Sequence, residues 1–492
     1  MVVLLLLLIP LIGASFLFLY KGDYQFSAAA ALKISLASLL VMGVRLFYWQ
    51  TPEMLSFSAP WLTALGSSFS LRMDGLGTIL SLLTTVSYFL LFWYLKGQSI
   101  ERPAAFFAWL LLAQVGMLGV FLAMDSLLFY FFWELALIPM YFLASQWGGA
   151  RRIPVTFKFF IYTFLGSVFM LIGILYLQSK TADHSFALGS IKKVRLSSDQ
   201  QSWLFWLFFI AFAIKLPVFP FHTWQPDTYE ESPTPVTAML SAVMVKMGIL
   251  GLLRWLLPLF PIASYMWGDV VMTLAVVGIV YASFLAMQQT DLKRLIAYSS
   301  IAHIGLMTAG AFALNNMAYQ GLLLQLFTHG INILGMWILA DLIERKTGTR
   351  TMASLGGIAQ HSPAITIFFV IISLANIALP LTNAFVGEFL LFNGILATPS
   401  NYYWVFAVVG GLGIIFSAVY TLKMIRTIFY GEANSVTQAP ILLASHECWV
   451  LSAMVCLILF FGIYPQPLLN LTADFSKELF GLTDITALFR KS

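Results

Sequence analysis

Apolar runs of about 20 residues, the length that carries a helix across a hydrocarbon core, recur along the whole of this 492-residue sequence. They start near residues 2, 27, 74, 103, 125, 155, 203, 235, 268, 293, 317, 364, 403 and 449, which makes about 14 spans. Charged residues occupy 10% of positions and hydrophobic ones 60%, where an ordinary soluble domain is about 25% charged. A single soluble domain cannot hide that much apolar surface, so the solvent for most of the chain is lipid. The expected fold is an all-α polytopic membrane protein. Strands are not expected, because the runs are too long and lack the alternation of a membrane barrel.

Lys and Arg in short loops set the orientation. Lys21, Lys96, Arg102, Arg151, Arg152, Lys293, Arg294, Arg345, Lys346 and Arg350 follow odd-numbered spans. The other side has Arg45 and Arg254, the C-terminal tail, and a longer loop with Lys180, Lys192, Lys193 and Arg195. This places the N-terminus outside. The net charge of +5 is spread over these loops and is not a nucleic-acid stripe. Residues 2–20 lack a preceding basic region and a clear cleavage site, so they read as a retained first helix.

Two segments interrupt their helices alike. Lys215-Leu216-Pro217 is followed by Pro220 and Phe221, and Ala378-Leu379-Pro380 by Phe385 and Glu388. Each proline predicts a kink or break, and paired breaks in two halves mark repeat-built transporters; a chance match of a few residues is the alternative. The expected organisation is helices 1–3 in residues 1–100 and a first five-helix repeat (helices 4–8) in 101–258. A second, inverted repeat (helices 9–13) fills 259–432, with a last helix and short amphipathic tail in 433–492.

The most informative residues are ionisable groups stranded in mid-span. Glu134 is the sole charge in 126–145, Lys215 in 203–221, Lys246 in 235–253 and Glu388 in 365–403, while His303 and His329 centre two consecutive spans. Each charge at a helix centre costs on the order of 3 kcal/mol, and four cost on the order of 12 kcal/mol. They therefore pair with one another or line a hydrated cavity. One Glu–Lys pair can be a packing pin, and one histidine a hydrogen-bonded core residue. Two acids, two lysines and two histidines, each central in its own span, exceed what packing needs and suit a proton relay. Burial and a movable carboxylate pull a lysine's proton affinity in opposite directions, and histidine can pass a proton between neighbours.

Other features carry less. Cys448 and Cys456 are too few and wrongly spaced for an iron–sulfur cluster or structural zinc, and residues 410–413 (GGLG) suit close helix packing better than a dinucleotide. The chain is thus expected to hold no redox cofactor of its own. Lys33, Arg45 and Arg254 read as interface anchors, Asp125 as a helix cap, and Trp109 and Trp133 as packing or belt residues. Asp227, Glu230 and Glu231 read as a solvated loop, with proton gathering at an entrance as the alternative.

The segments FFWELALIPMYFL around Glu134, IKLPVFPFHTWQPDTYEESPTPVTAMLSAVMVKMG over 214–248 and QQTDLKRLIAYSSIAHIG over 288–305 resemble the antiporter-like subunits of NADH:quinone oxidoreductase, respiratory complex I. The family these segments resemble also includes subunits of Mrp-type sodium/proton antiporters and membrane-bound hydrogenases. Glu388 in ALPLTNAFVGEFLLF, the short C-terminus and GTRTMASLGGIAQHSP over 348–363 resemble the M type, where L and N types resemble lysine-bearing versions. One departure is LPLTNAFVGEF in place of the family's glycine-rich LPGTSGFVGEF, which bears on the backbone at the second break.

The resemblance implies that Glu134 and Lys215 form a switching pair and Lys246 is the central proton carrier. His303 and His329 would connect it to Glu388 on the exit side. It implies outward proton movement in an energy-conserving, bacterial inner membrane, beside L-type and N-type subunits. NAD, FMN, iron–sulfur clusters and quinone would sit in partner subunits, and this chain would have no turnover alone. The rivals are an Mrp-type antiporter subunit, against which Glu388 argues, and a structural spacer that conducts nothing.

Overall fold

The computed structural model describes residues 1–20, 22–48 and 51–484; Lys21 and the tail residues 485–492 lie outside the described residues. Helices dominate. In chain order come α1 (Val2–Leu19), α2 (Tyr24–Phe47), a hairpin of β1 (Ser56–Leu62) and β2 (Ser67–Arg72), α3 (Gly75–Tyr94), α4 (Pro103–Leu122), α5 (Ser126–Trp147), α6 (Arg152–Lys180) and α7 (Ser198–Lys215). After these follow α8 (Trp224–Glu231), α9 (Thr234–Leu259), α10 (Pro261–Gln288), α11 (Leu292–Ala311) and α12 (Asn316–Thr347). Then come α13 (Pro363–Asn376), α14 (Asn383–Leu396), α15 (Tyr403–Phe429), α16 (Ser445–Ile463) and α17 (Gln466–Thr483).

Among the described residues, 11 of these helices are long and apolar enough to cross a membrane. The remaining apolar runs fall on α7, on α11 and on the shorter pair α13 and α14. The hairpin corrects the expectation of no strands: β1 and β2 pair antiparallel, with Phe57 opposite Leu71. The segment lies between spans and is too short to register against the apolar runs on either side.

The described residues pack as two compact units, one within 1–216, 243–267 and 471–484, the other within 217–242 and 268–470. In the first, Asp125 caps α5 as its position implies, accepting from the amides of Leu127 (3.0 Å) and Leu128 (3.1 Å). The same carboxylate takes the Ser67 hydroxyl at 2.9 Å and the Ser68 amide at 3.0 Å, tying the hairpin to the helix start. Asp74 caps α3 at 2.7 Å from the Gly77 amide. It also takes the Arg254 guanidinium at 2.6 Å, while Arg254 Nη1 donates to the Phe121 carbonyl at 2.5 Å. Arg254 is therefore no interface anchor but one half of a buried ion pair.

In the second unit the segment around Asp227 and Glu230 is helix α8, not a solvated loop. Arg294 contacts Glu230 at 2.7 Å and Asp227 at 3.3 Å. Arg350 joins Glu230 at 3.1 Å and Asp291 at 2.5 Å. The charges end in a network that seats α8 on the start of α11.

Both proline-marked breaks are present. Helix stops at Lys215 and resumes at Trp224, and it stops again at Asn376 and resumes at Asn383. In the second break Ala378 (φ 55°) and Leu381 (φ 72°) adopt left-handed backbone. Leu381 stands where the family pattern has its first glycine, and it holds the conformation that glycine would favour.

Candidate functional site

In the first unit, Glu134 projects from α5 and Lys215 closes α7, near enough for their charges to interact. The Ser167 hydroxyl of α6, which donates to the Phe164 carbonyl at 2.8 Å, lies beside Glu134. Lys215 is buried, and its ammonium lies over two aromatic faces, 5.7 Å from the Trp133 ring centre and 5.9 Å from that of Phe159. Ring faces stabilise a cation in a site with little water. Trp133 is thus more than packing, because it forms one wall of the lysine's pocket. Among the described residues, neither Lys215 Nζ nor one Glu134 oxygen, Oε1, has a hydrogen-bond partner. The pair is poised and not locked.

Lys246, also in this unit, is fully buried on α9. The helix is wound in π geometry over Leu240–Met244 and Gly251–Leu256, leaving one turn of ordinary α-helix, Lys246–Leu250, between. Such π stretches inside helices are frequent at functional sites. A side chain at Gly248 would overlap Leu216, and one at Gly251 the ring of Phe212. The glycines therefore allow the lysine-bearing turn to close on the end of α7.

The second unit brings the other three groups together. His303 on α11 and His329 on α12 have ring centres 5.4 Å apart. His303 Nε2 lies 3.8 Å from Glu388 Oε1 on α14. His303 Nδ1 is 2.8 Å from the carbonyl of Ser299. A carbonyl only accepts, so Nδ1 carries a hydrogen and Nε2 is the nitrogen left to take or give a proton. Glu388, 6% exposed, needs such a partner, since an isolated buried charge is costly.

Two polar groups that the sequence did not single out also reach Ser299. The Tyr420 hydroxyl of α15 donates to its Oγ at 3.0 Å, and the Asn376 amide at the end of α13 does so at 3.3 Å. Ser299 stands one helical turn before His303, the i, i+4 spacing that could have pointed to it. A cavity of about 20 Å³ lies beside the cluster, walled by Glu388, His303, Tyr420 and Gly410 among others.

Residues 123–415 match the transmembrane family described as NADH:quinone oxidoreductase/Mrp antiporter. The chain belongs to that family. The matched stretch holds all six mid-span ionisable groups and ends before Tyr420. The chain is 38% identical over 421 residues to NADH-quinone oxidoreductase subunit M of Rickettsia prowazekii, covering 83% of each. It is 36% identical over 504 residues to the same subunit of Pseudomonas aeruginosa, covering 95% of each. Among solved structures it resembles a chain of respiratory complex I from Thermus thermophilus, with 28% identity and a TM-score of 0.88, covering 97% of this chain and 100% of that one. Members of this family are polytopic membrane proteins, in keeping with the helices described above.

Outside the spans, Lys192 sits near Glu478, 3.9 Å away. Burial holds its ammonium below the ordinary lysine value, partly offset by Glu478.

Proposed function

We propose that this chain is the M-type, antiporter-like membrane subunit of an NADH:quinone oxidoreductase and moves protons outward across a bacterial inner membrane. Oxidation of NADH and reduction of quinone in other subunits would drive it, with NAD, FMN, iron–sulfur clusters and quinone held there. On this reading the chain has 14 spans built around two inverted five-helix repeats, and L-type and N-type subunits flank it.

The observation that carries the reading is the buried His303–Glu388 contact at 3.8 Å, in a chain that shares the fold and length of complex I subunits. Glu134 and Lys215 act as the switching pair, Lys246 as the central carrier, His303 and His329 as the connection, and Glu388 as the exit group. Withdrawal of Glu134 from Lys215 raises the tendency of Lys215 to release its proton. A hydrogen on His303 Nδ1 leaves Nε2 to receive from one side and pass to the carboxylate on the other. The energies are commensurate: moving one charge against 100 mV takes roughly 2.3 kcal/mol, and one unit of proton affinity is about 1.4 kcal/mol.

The test is redox-driven proton pumping in membrane vesicles carrying Lys246→Ala, with assembly of the complex checked. Collapse of both quinone reduction and pumping in an assembled complex is the expected result. Parental levels of both would make the buried charges structural.

A further inference from the structure

Tyr420 plays no part in the relay just described, yet its placement is specific. It is 1% exposed, its hydroxyl donates to Ser299 Oγ at 3.0 Å, and it lies within electrostatic range of Glu388. The Ser299 carbonyl is the group that fixes His303 Nδ1. Tyr420 also walls the 20 Å³ cavity that Glu388 and His303 face. That volume is enough for one water, and a polar gap of 3.8 Å is too long for a direct hydrogen bond but suits a bridged one.

We propose that Tyr420 is a positioning residue of the Glu388–His303 proton site, anchored through Ser299 and holding one water against Glu388. The proposal rests on the proton-relay reading above. With its hydrogen given to Ser299, the Tyr420 oxygen remains as an acceptor for a hydrogen of that water. The His303 imidazolium gives its Nε2 proton to the water oxygen as the water gives one of its own to the Glu388 carboxylate. Neutral imidazole and carboxylic acid result, and no water is consumed. Tyr420 neither gains nor loses a proton; it sets where the water stands.

Tyr420→Phe keeps the ring and deletes only the hydroxyl. In the assembled complex the infrared C=O band of the Glu388 carboxyl group, assigned by its loss in Glu388→Gln, is expected to move to higher frequency in this variant. Coupled pumping is expected to fall about tenfold, the scale of one lost hydrogen bond to a charged site. Ser299→Ala is expected to fall similarly, and the double variant no further than the weaker single, since both act through one contact. Gly410→Ala gives a second approach: its methyl meets only the Phe392 ring edge at 3.7 Å, so it narrows the cavity without a clash and should shift the same band. An unmoved band with parental pumping in Tyr420→Phe, or losses that multiply in the double variant, would overturn the proposal. If Glu388→Gln itself pumps at the parental rate, the relay reading fails. If it is inactive while Tyr420→Phe matches the parent, only the role of Tyr420 falls.

Discussion

His303 faces Glu388 through Nε2 at 3.8 Å while its Nδ1 is committed to the Ser299 carbonyl at 2.8 Å. The two ring nitrogens therefore have separate duties, and substitutions can separate them. Asparagine at 303 keeps a donor for Ser299 but has nothing in place of Nε2. His303→Asn is expected to assemble and to lose coupled quinone reduction and pumping by about 100-fold, the lower end of what a positioned proton-transfer group contributes. Pumping near the parental rate would show that the imidazole is only a hydrogen-bonding strut.

Asp74 and Arg254 form a buried pair at 2.6 Å, with Arg254 2% exposed. Asp74→Asn leaves the guanidinium charged, buried and short of its counter-ion, a loss of about 3 kcal/mol. Arg254→Met replaces the charge with apolar volume and should cost less. Thermal unfolding of the two variants in detergent checks the order, and a more stable Asp74→Asn would contradict it.

Lys192 gives a pH prediction. Its proton is bound less tightly folded than unfolded, chiefly through burial. The unfolded chain then binds more protons at pH values between the folded and unfolded lysine values, so stability rises with pH across that window. Below it both states are protonated and the full penalty is present; above it the penalty is gone. Lys192→Met should flatten this rise, read from unfolding midpoints between neutral pH and about 10. An equal slope in both proteins would locate the effect elsewhere.

Arg350 joins Glu230 on α8 to Asp291 at the start of α11, at 3.1 Å and 2.5 Å. Arg350→Met should release α8, raising hydrogen exchange across Trp224–Glu231 and costing about 1.5–3 kcal/mol, as for hydrogen bonds to charged groups. Unchanged protection of that helix would show the network to be ornamental.

These sites differ in how far the sequence revealed them, and the reason is distance along the chain. Asp125 as a cap, the two proline breaks and the mid-span charges are local signals, readable from a few neighbours. Arg254 was misread because its partner Asp74 is 180 residues away, and a charge near the end of an apolar run reads as an anchor when that partner is unseen. Ser299 and Tyr420 are separated by 121 residues, and neither stands out among other hydroxyls in apolar runs. Glu388 and His303 were each legible as mid-span groups, but their direct contact at 3.8 Å, between residues 85 apart in the chain, was not readable from the residues. The left-handed Leu381 was foreshadowed only as a departure from a glycine pattern.

That departure leads to a prediction about the second break. Gly462 on α16 packs against it so closely that a Cβ there would overlap the Leu381 carbonyl and stand 2.7 Å from the Thr382 carbonyl carbon. The neighbour is backbone, so it cannot swing aside as a side chain would. Gly462→Ala should therefore displace the break, at about 1–3 kcal/mol for overpacking, and with it the start of α14, which carries Glu388 in its second turn. Leu381→Gly tests the same place from the other side. Relief of left-handed strain and the extra freedom of glycine in the unfolded chain are each about 1 kcal/mol and opposed, so this change should be nearly neutral. Unfolding midpoints and coupled pumping, measured on both variants in the assembled complex, should fall together in Gly462→Ala and stay near parental in Leu381→Gly. If Gly462→Ala is also silent, the break is free to shift without consequence, and its contact with α16 does not hold Glu388 in place.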